Sequence, residues 1–496
     1  MKEHYQKLVE QQTRLNRLNH LKEIAFWDQA THMSEKGIKS RADAVAELSQ
    51  IIYEIECNEN TEIDLKKVQN EHLSDIEQAN IQEIERKFKK NSFIPKDLIK
   101  KKQVATSICE HEWRKQKPSN DWKGFLSNFK EVVHISRVKA DILSQKLGIS
   151  PYEALMDDYE PNLKEDTVNR CFEDIKKWLP TLLNDVMKKQ KTITGLVELT
   201  GPFESSAQKN LNLEIMSLLG FDFQAGRLDE SAHPFCGGNP QDVRITTRFN
   251  QKEFLSSLMG TIHETGHARY EQNLPYNLLE QPVGQARSMS IHESQSLFFE
   301  KHIGCSAQFI KRIYPLIKKH LGSSPSLALD NLQNLNLRVK PSFIRVDADE
   351  ITYPAHIIIR YEIEKELINT KLEISELPEL WNTKMDNILG ISPKNDFKNG
   401  ILQDVHWPEG LFGYFPCYTL GALYAAQWAA MIKQTVKDYD EVIEHGDLTK
   451  IFNWLDINIW KKASILQTDA LTKSACKGES LNPKYFKNYL EQKFLN

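Results

Sequence analysis

The spacing of apolar positions predicts a chain built mainly of helices. Residues 1–60 read as two long helices with a turn at Met33-Ser-Glu-Lys-Gly37. The stretch Arg41–Leu48 runs on into Ile51 and Ile52 at helical spacing. Residues 63–115 follow the same pattern and break at Phe93-Ile94-Pro95. Residues 121–148 form another amphipathic helix, stopped by Gly148 and Pro151. The pattern changes over 193–250, where Val197 and Leu199, then Val243, Ile245, Thr247 and Phe249, alternate with polar residues as in strands. Between them, His233-Pro234-Phe235-Cys-Gly-Gly238-Asn-Pro240 reads as a loop. A further strand is expected at Phe343–Asp347, and the small β element is expected beside the functional site. Helices return from 350. A loop rich in Gly, Pro and aromatics interrupts them over Gly400–Gly421, and they resume at Leu420–Lys433.

One predicted helix carries chemistry. In Glu253–Tyr270, the residues Phe254, Leu255, Leu258, Met259, Ile262 and Tyr270 recur at helical spacing with no proline. Within it lies His263-Glu264-Thr265-Gly266-His267. Side chains four apart stand one turn above the other, so two imidazoles can hold one metal ion. Glu264, turned about 100° from His263, can reach water at that ion without ligating it. Gly260 and Gly266 each cost about 1 kcal/mol in a helix interior relative to alanine, which suggests a close approach by another element.

A catalytic zinc needs a third protein ligand and an open fourth position. The metzincin extension is excluded, since Tyr270 and Asn273 stand where it requires Gly and His. Glu271 lies about 12 Å along the helix from His263, too far to share its ion. Glu280 sits in a proline-containing connector and is a weak candidate. Glu293 is better: it follows a proline-marked turn on a helix whose face holds Ala286, Met289, Leu297 and Gly304. A carboxylate on so apolar a face is costly unless paired or bound to metal. Glu300, two turns on, is the reserve.

Composition narrows the class. With 496 residues the chain can bury a sizeable core, and its net charge of −4 gives no basis for binding nucleic acid or acidic membranes. The basic runs at Lys100–Lys102 and Lys188–Lys191 read as solvated helix faces. No apolar run approaches a membrane span, and the N-terminal residues lack a signal-peptide core. Seven scattered cysteines without Cys-x-x-Cys indicate reduced thiols in the cytoplasm. No linker, repeat or low-complexity tract stands out, so residues 1–496 are expected to form a single domain, with N-terminal helices over about 1–125 and a core over about 230–430.

The chain resembles the thermostable carboxypeptidase family, the carboxypeptidase Taq type of zinc metallocarboxypeptidase. The resemblance rests on His233-Pro234-Phe235, Asp242-Val-Arg244-Ile-Thr246, His263-Glu264-Thr-Gly-His267 and His292-Glu293-Ser294-Gln295. It continues with Ile344-Arg345-Val-Asp-Ala348-Asp349, Gly400-Ile-Leu-Gln403-Asp404-Val-His406-Trp407, Trp27-Asp28-Gln29 and Tyr152–Pro161. Ser34, where the family often has proline, and Pro354 are departures that touch no proposed ligand. The resemblance implies a mainly α fold, a large helical body with a deep central groove and a small β-sheet beside the active site. It implies a homodimer that removes single C-terminal amino acids from peptides with broad preference, poorly at C-terminal proline. It also implies His263, His267 and Glu293 as ligands of zinc (with cobalt possible) and Glu264 as general base.

Other roles follow from residue chemistry. His406 and Tyr414 are candidate donors to the tetrahedral oxyanion, although His406 could instead make a structural hydrogen bond. A free C-terminal carboxylate suits a guanidinium; Arg345 is the first candidate and Arg244 the second, unless they pair with Asp347, Asp349 or Asp242. Asp349 and Glu350 are candidates to orient the ligand histidines. An endo-acting zinc oligopeptidase with the same chemistry is the nearest rival. A non-catalytic helical scaffold is the rival of a different class.

Overall fold

A computed structural model describes residues 2–232, 234–370 and 372–496. The elements are overwhelmingly helical. Helices Glu3–Thr31 and Ile38–Glu56 flank the expected turn, and Asp75–Phe93 and Lys96–Gln116 flank the expected break at Ile94-Pro95. Helix Trp122–Leu147 begins under the Asp121 carboxylate, which accepts from the Gly124 N–H at 2.8 Å, and ends at Gly148 in a left-handed conformation. Among the described residues, no helix is long and apolar enough to cross a membrane.

One three-stranded sheet interrupts the helices: β1 (Gly226–Glu230), β2 (Phe235–Asn239) and β3 (Asp242–Thr247). β3 is central, parallel to β1 and antiparallel to β2, with Ile245 opposite both Leu228 and Cys236. Leu228, Val243 and Ile245 pack with Met216, Phe221 and Ala268 into one buried cluster. Ala268 belongs to helix Leu255–Gln272, which carries the two histidines, so the sheet seats that helix.

Three strand expectations change. Residues 235–239 form a strand rather than a loop, because β3 supplies a hydrogen-bonded edge that two glycines do not prevent Phe235–Asn239 from joining. Val197 and Leu199 form no strand. Asn331 takes the place of a partner strand: its side chain accepts from the Val197 N–H and donates to the Val197 carbonyl, both at 2.8 Å. Phe343–Asp347 is also no strand; Arg345–Asp347 is a 3-10 turn. There Gln403 accepts from the Arg345 N–H at 2.7 Å and donates to the Phe343 carbonyl at 2.9 Å. In both places an amide side chain satisfies the backbone that a ladder would otherwise claim.

The chain clusters into two compact units, each assembled from three stretches. The first comprises 1–91, 195–336 and 424–481 and contains the sheet. The second comprises 92–194, 337–423 and 482–496. Within the second, the fully buried Glu364 carboxylate accepts from Tyr152 Oη at 2.8 Å, Trp407 Nε1 at 2.8 Å and the Gly413 N–H at 2.9 Å. Those bonds fix the aromatic loop 400–415 onto helix Tyr353–Asn369. Gly413 has φ +90°, and a Cβ there would fall 2.7 Å from the backbone nitrogen of Met156.

Candidate active site

The histidine helix, Leu255–Gln272, starts under a charge. Glu253 accepts from the Leu255 N–H at 2.6 Å and from the Ser256 N–H at 3.0 Å, an acidic cap at the positive end of the helix dipole. The partner helix, Met289–Leu297, is capped by Ser288, whose hydroxyl accepts from the Ile291 N–H at 3.2 Å. The two helices meet backbone to backbone at Gly266. A Cβ at that residue would lie 2.5 Å from the Gln295 carbonyl oxygen and 2.6 Å from Ser296 Cα. Gly260, also expected to mark a close approach, has nothing within 4 Å of a built Cβ. Gly266→Ala is therefore expected to destabilise by about 1–3 kcal/mol through overpacking, and Gly260→Ala to stabilise by about 0.5–1 kcal/mol through helix propensity. Thermal denaturation of the two variants beside the parent would read the opposite signs.

This contact brings His263, His267 and Glu293 together, with one donor atom from each lying within 4.8 Å of the others. Glu293 Oε2 is 3.8 Å from His263 Nε2 and 3.4 Å from His267 Nε2. The ligand–ligand edge of a tetrahedral zinc site is about 3.3 Å, so the donors have the right chemistry and the Glu293 oxygen stands close to that distance from both imidazoles. The rest of the motif fixes the helix. Trp428 Nε1 donates to Ser294 Oγ at 3.1 Å, Trp460 Nε1 donates to Gln295 Oε1 at 2.8 Å, and Gln295 Nε2 donates to Ser294 Oγ at 2.8 Å.

The electrostatics favour a cation here. Burial raises the Glu264 carboxyl to about 7, and the Glu293 carboxylate reinforces this against the opposing pull of His263. Burial would depress His263, but Glu293, Glu300 and Glu264 overrule it and hold it up at about 9. Burial carries His267 down to about 4. Glu293 resists its own burial through His263 and His267 and stays below the ordinary carboxylate range. Lys301 pairs with Glu300, which leaves the Glu293 and Glu264 carboxyls facing the two imidazoles, and a cation held there would relieve their mutual repulsion.

The groups in contact behind the two histidines are not those expected. Glu300 Oε2 stands 2.9 Å from His263 Nδ1, so the reserve ligand lies behind the histidine. Glu300 reaches that place from a π-helix, Phe298–Gly304, which continues directly from Met289–Leu297. His267 Nδ1 lies 2.6 Å from His292 Nδ1, and His292 Nε2 lies 2.7 Å from Glu271 Oε1. Asp349 instead caps its own turn, accepting from the Ile351 and Thr352 N–H groups, while Glu350 pairs with Lys493. Sequence reasoning rejected Glu271 as a ligand and left His292 without a role. The i, i+4 step from His267 to Glu271 was the available signal.

The remaining site residues have these surroundings. Arg244, on β3, forks onto both oxygens of Asp242, with Nε 3.0 Å from Oδ1 and Nη2 2.8 Å from Oδ2, and its guanidinium covers the Trp27 ring at 4.2 Å. In the second unit, Arg345 Nε donates to Asp404 Oδ1 at 2.8 Å and its Nη1 to Tyr353 Oη at 2.9 Å. Arg360 Nε donates to the other oxygen, Asp404 Oδ2, at 2.7 Å. Two buried guanidiniums thus share one carboxylate, a cluster that the sequence did not reveal. His406 Nε2 meets Tyr418 Oη at 3.1 Å, the ring stacks on Phe415, and Tyr414 packs edge-on against Tyr159. Burial, then Arg345, push the His406 imidazolium down to about 3. His233 lies outside the described residues.

Known proteins resemble this chain over nearly its whole length. Residues 7–494 match the family described as carboxypeptidase Taq (M32) metallopeptidase. The chain is 36% identical over 493 residues to carboxypeptidase 1 of Bacillus subtilis, covering 97% of each. It is 35% identical to thermostable carboxypeptidase 1 of Thermus thermophilus, covering 99% of this chain and 98% of that protein. The structure of Trypanosoma cruzi metallocarboxypeptidase 1 superposes with a TM-score of 0.98 at 38% identity, with full coverage of both chains. The chain belongs to the carboxypeptidase Taq (M32) family of metallopeptidases and is a metallocarboxypeptidase.

Proposed function

We propose that this chain is a zinc-dependent carboxypeptidase that releases single amino acids from free peptide C-termini. The observation that carries the reading is the convergence of one donor atom each from His263, His267 and Glu293 to within 4.8 Å of one another, with Glu264 next to the first of them in sequence. His263 Nε2, His267 Nε2 and the Glu293 carboxylate would hold the ion; Co2+ would suit the same donors. When bound, the ion would polarise the scissile carbonyl and lower the pKa of a water to about 7.

The chain's own residues do the rest. Glu264 takes a proton from the attacking water onto a carboxylate oxygen and returns it to the departing amine. Glu264 is buried beside the first ligand, so its carboxylate faces the ion's surroundings rather than bulk solvent. Glu300 holds the His263 ring in position through its Nδ1. His406 and Tyr414 are proposed to donate to the developing oxyanion. Arg345 is proposed to read the substrate carboxylate. Arg345, Arg360 and Asp404 together carry one excess positive charge, which an entering carboxylate would neutralise. Arg244 is second, since Asp242 already takes both arms of its fork.

Broad preference with poor release of C-terminal proline, homodimer assembly and a cytoplasmic location complete the proposal, and residues 1–496 are taken as one catalytic domain. The test is hydrolysis of N-blocked dipeptides, free-acid against C-terminally amidated, with and without a chelator. Cleavage of the free acid alone, abolished by the chelator, is expected. Equal cleavage of amidated peptides would instead favour an endo-acting oligopeptidase.

A further inference from the structure

The two histidines of the centre are held differently. His263 leans directly on a carboxylate, Glu300, at 2.9 Å. Behind His267 stands another imidazole, and the carboxylate comes one ring later. Glu271 lies one turn beyond His267 on the same helix, while His292 comes from the facing helix Met289–Leu297. His292 therefore bridges two residues of the histidine helix, and its ring also lies against Tyr270, with centroids 5.3 Å apart.

We infer that His292 is a positioning residue, which together with Glu271 fixes the tautomer and ring angle of His267 for metal binding. The inference rests on His263, His267 and Glu293 being the metal ligands. Its proton count is fully determined. To present a lone pair at Nε2, His267 must carry its hydrogen on Nδ1. At 2.6 Å that hydrogen points at His292 Nδ1, which must accept and therefore carries none. The hydrogen of His292 is then on Nε2 and donates to Glu271 Oε1 at 2.7 Å. Each of the two bonds then has one hydrogen; the reverse arrangement, with His292 donating from Nδ1, would leave the His267 hydrogen on Nε2 and block its lone pair. Glu271 thus orients His292, and His292 orients His267. The carboxylate acts on the ligand one ring further away than Glu300 acts on His263.

Metal affinity of the full chain tests this, measured by titrating the metal-free protein with Zn2+, and separately Co2+, against a chromophoric chelator. His292→Ala is expected to weaken binding about 10–100-fold, the usual cost of losing such a partner. Glu271→Ala should weaken it less, and should add nothing on top of His292→Ala, because the two act in series. Glu300→Ala should add in full, because it acts on the other histidine. Glu271→Gln, which keeps an acceptor oxygen for His292, should lie nearer the parent than Glu271→Ala does. The visible Co2+ spectrum should shift in His292→Ala, and the metal-free variants should melt with the parent if only positioning is lost. Parent-like affinity in His292→Ala, or full additivity of His292→Ala with Glu271→Ala, would overturn the inference. A parent protein that binds neither metal would instead remove the metal centre itself.

Discussion

Glu264→Gln is expected to lower kcat by about 10²–10⁴-fold while leaving metal content and KM near the parent values. The substitution preserves volume in a buried place, where Glu264 is 8% exposed, so little repacking follows. Glu264 is not among the three clustered donors, so the ion would keep its ligands. An amide cannot take a proton from water at neutral pH, so the loss would fall on turnover. Metal analysis and steady-state kinetics on the same preparation would separate the effects. Loss of the ion together with activity would make Glu264 a ligand or a structural residue. Activity within about tenfold of the parent would take away its role as base.

Asp404→Asn is expected to cost about 3–5 kcal/mol, the range found when one partner of a buried ion pair is removed. Arg345 is 7% exposed and Arg360 not at all, and Asp404 gives one oxygen to each. An amide in its place has one oxygen for two guanidiniums and turns N–H donors towards the other. The dependence on pH has a definite sign. Both arginines hold Asp404, despite its burial, well below the ordinary carboxylate range. Its contribution is therefore complete above that range and is lost only as the pH falls beneath it. Denaturant unfolding of parent and variant at neutral pH would show the gap, and the gap should close in strong acid. Unchanged stability at neutral pH would mean that water reaches the cluster and pairs the guanidiniums instead.

How much of this could be read from the residues depended on whether they act locally. Helix starts, stops and the candidate metal triad are local or motif-borne: Gly148 ends its helix, and His263 and His267 need only one turn between them. Glu293 was reachable because a carboxylate on an apolar face demands an explanation. The strand errors had one cause. Alternation shows that a segment is extended, but not what will bond its backbone. At Val197 the partner is the Asn331 side chain, and around Arg345 it is Gln403, neither of which leaves a trace in periodicity. At Phe235–Asn239 the reverse happened, and a neighbouring edge recruited glycines into a strand. The ring behind His267 and the shared Asp404 join residues 21 to 59 positions apart, whose pairing no spacing rule could supply.

Each compact unit is closed by chain that comes late. The first draws on 424–481 and the second on 482–496, where helix Lys484–Leu495 packs on Glu165–Gln190 of its own unit. During synthesis, the histidine helix leaves the ribosome well before Trp428 and Trp460, whose indoles anchor Ser294 and Gln295. The nascent chain therefore carries the candidate metal-binding residues before the segment that anchors their helix. Until residues 424–481 join the first unit, the facing helix would lack both indole anchors behind Glu293.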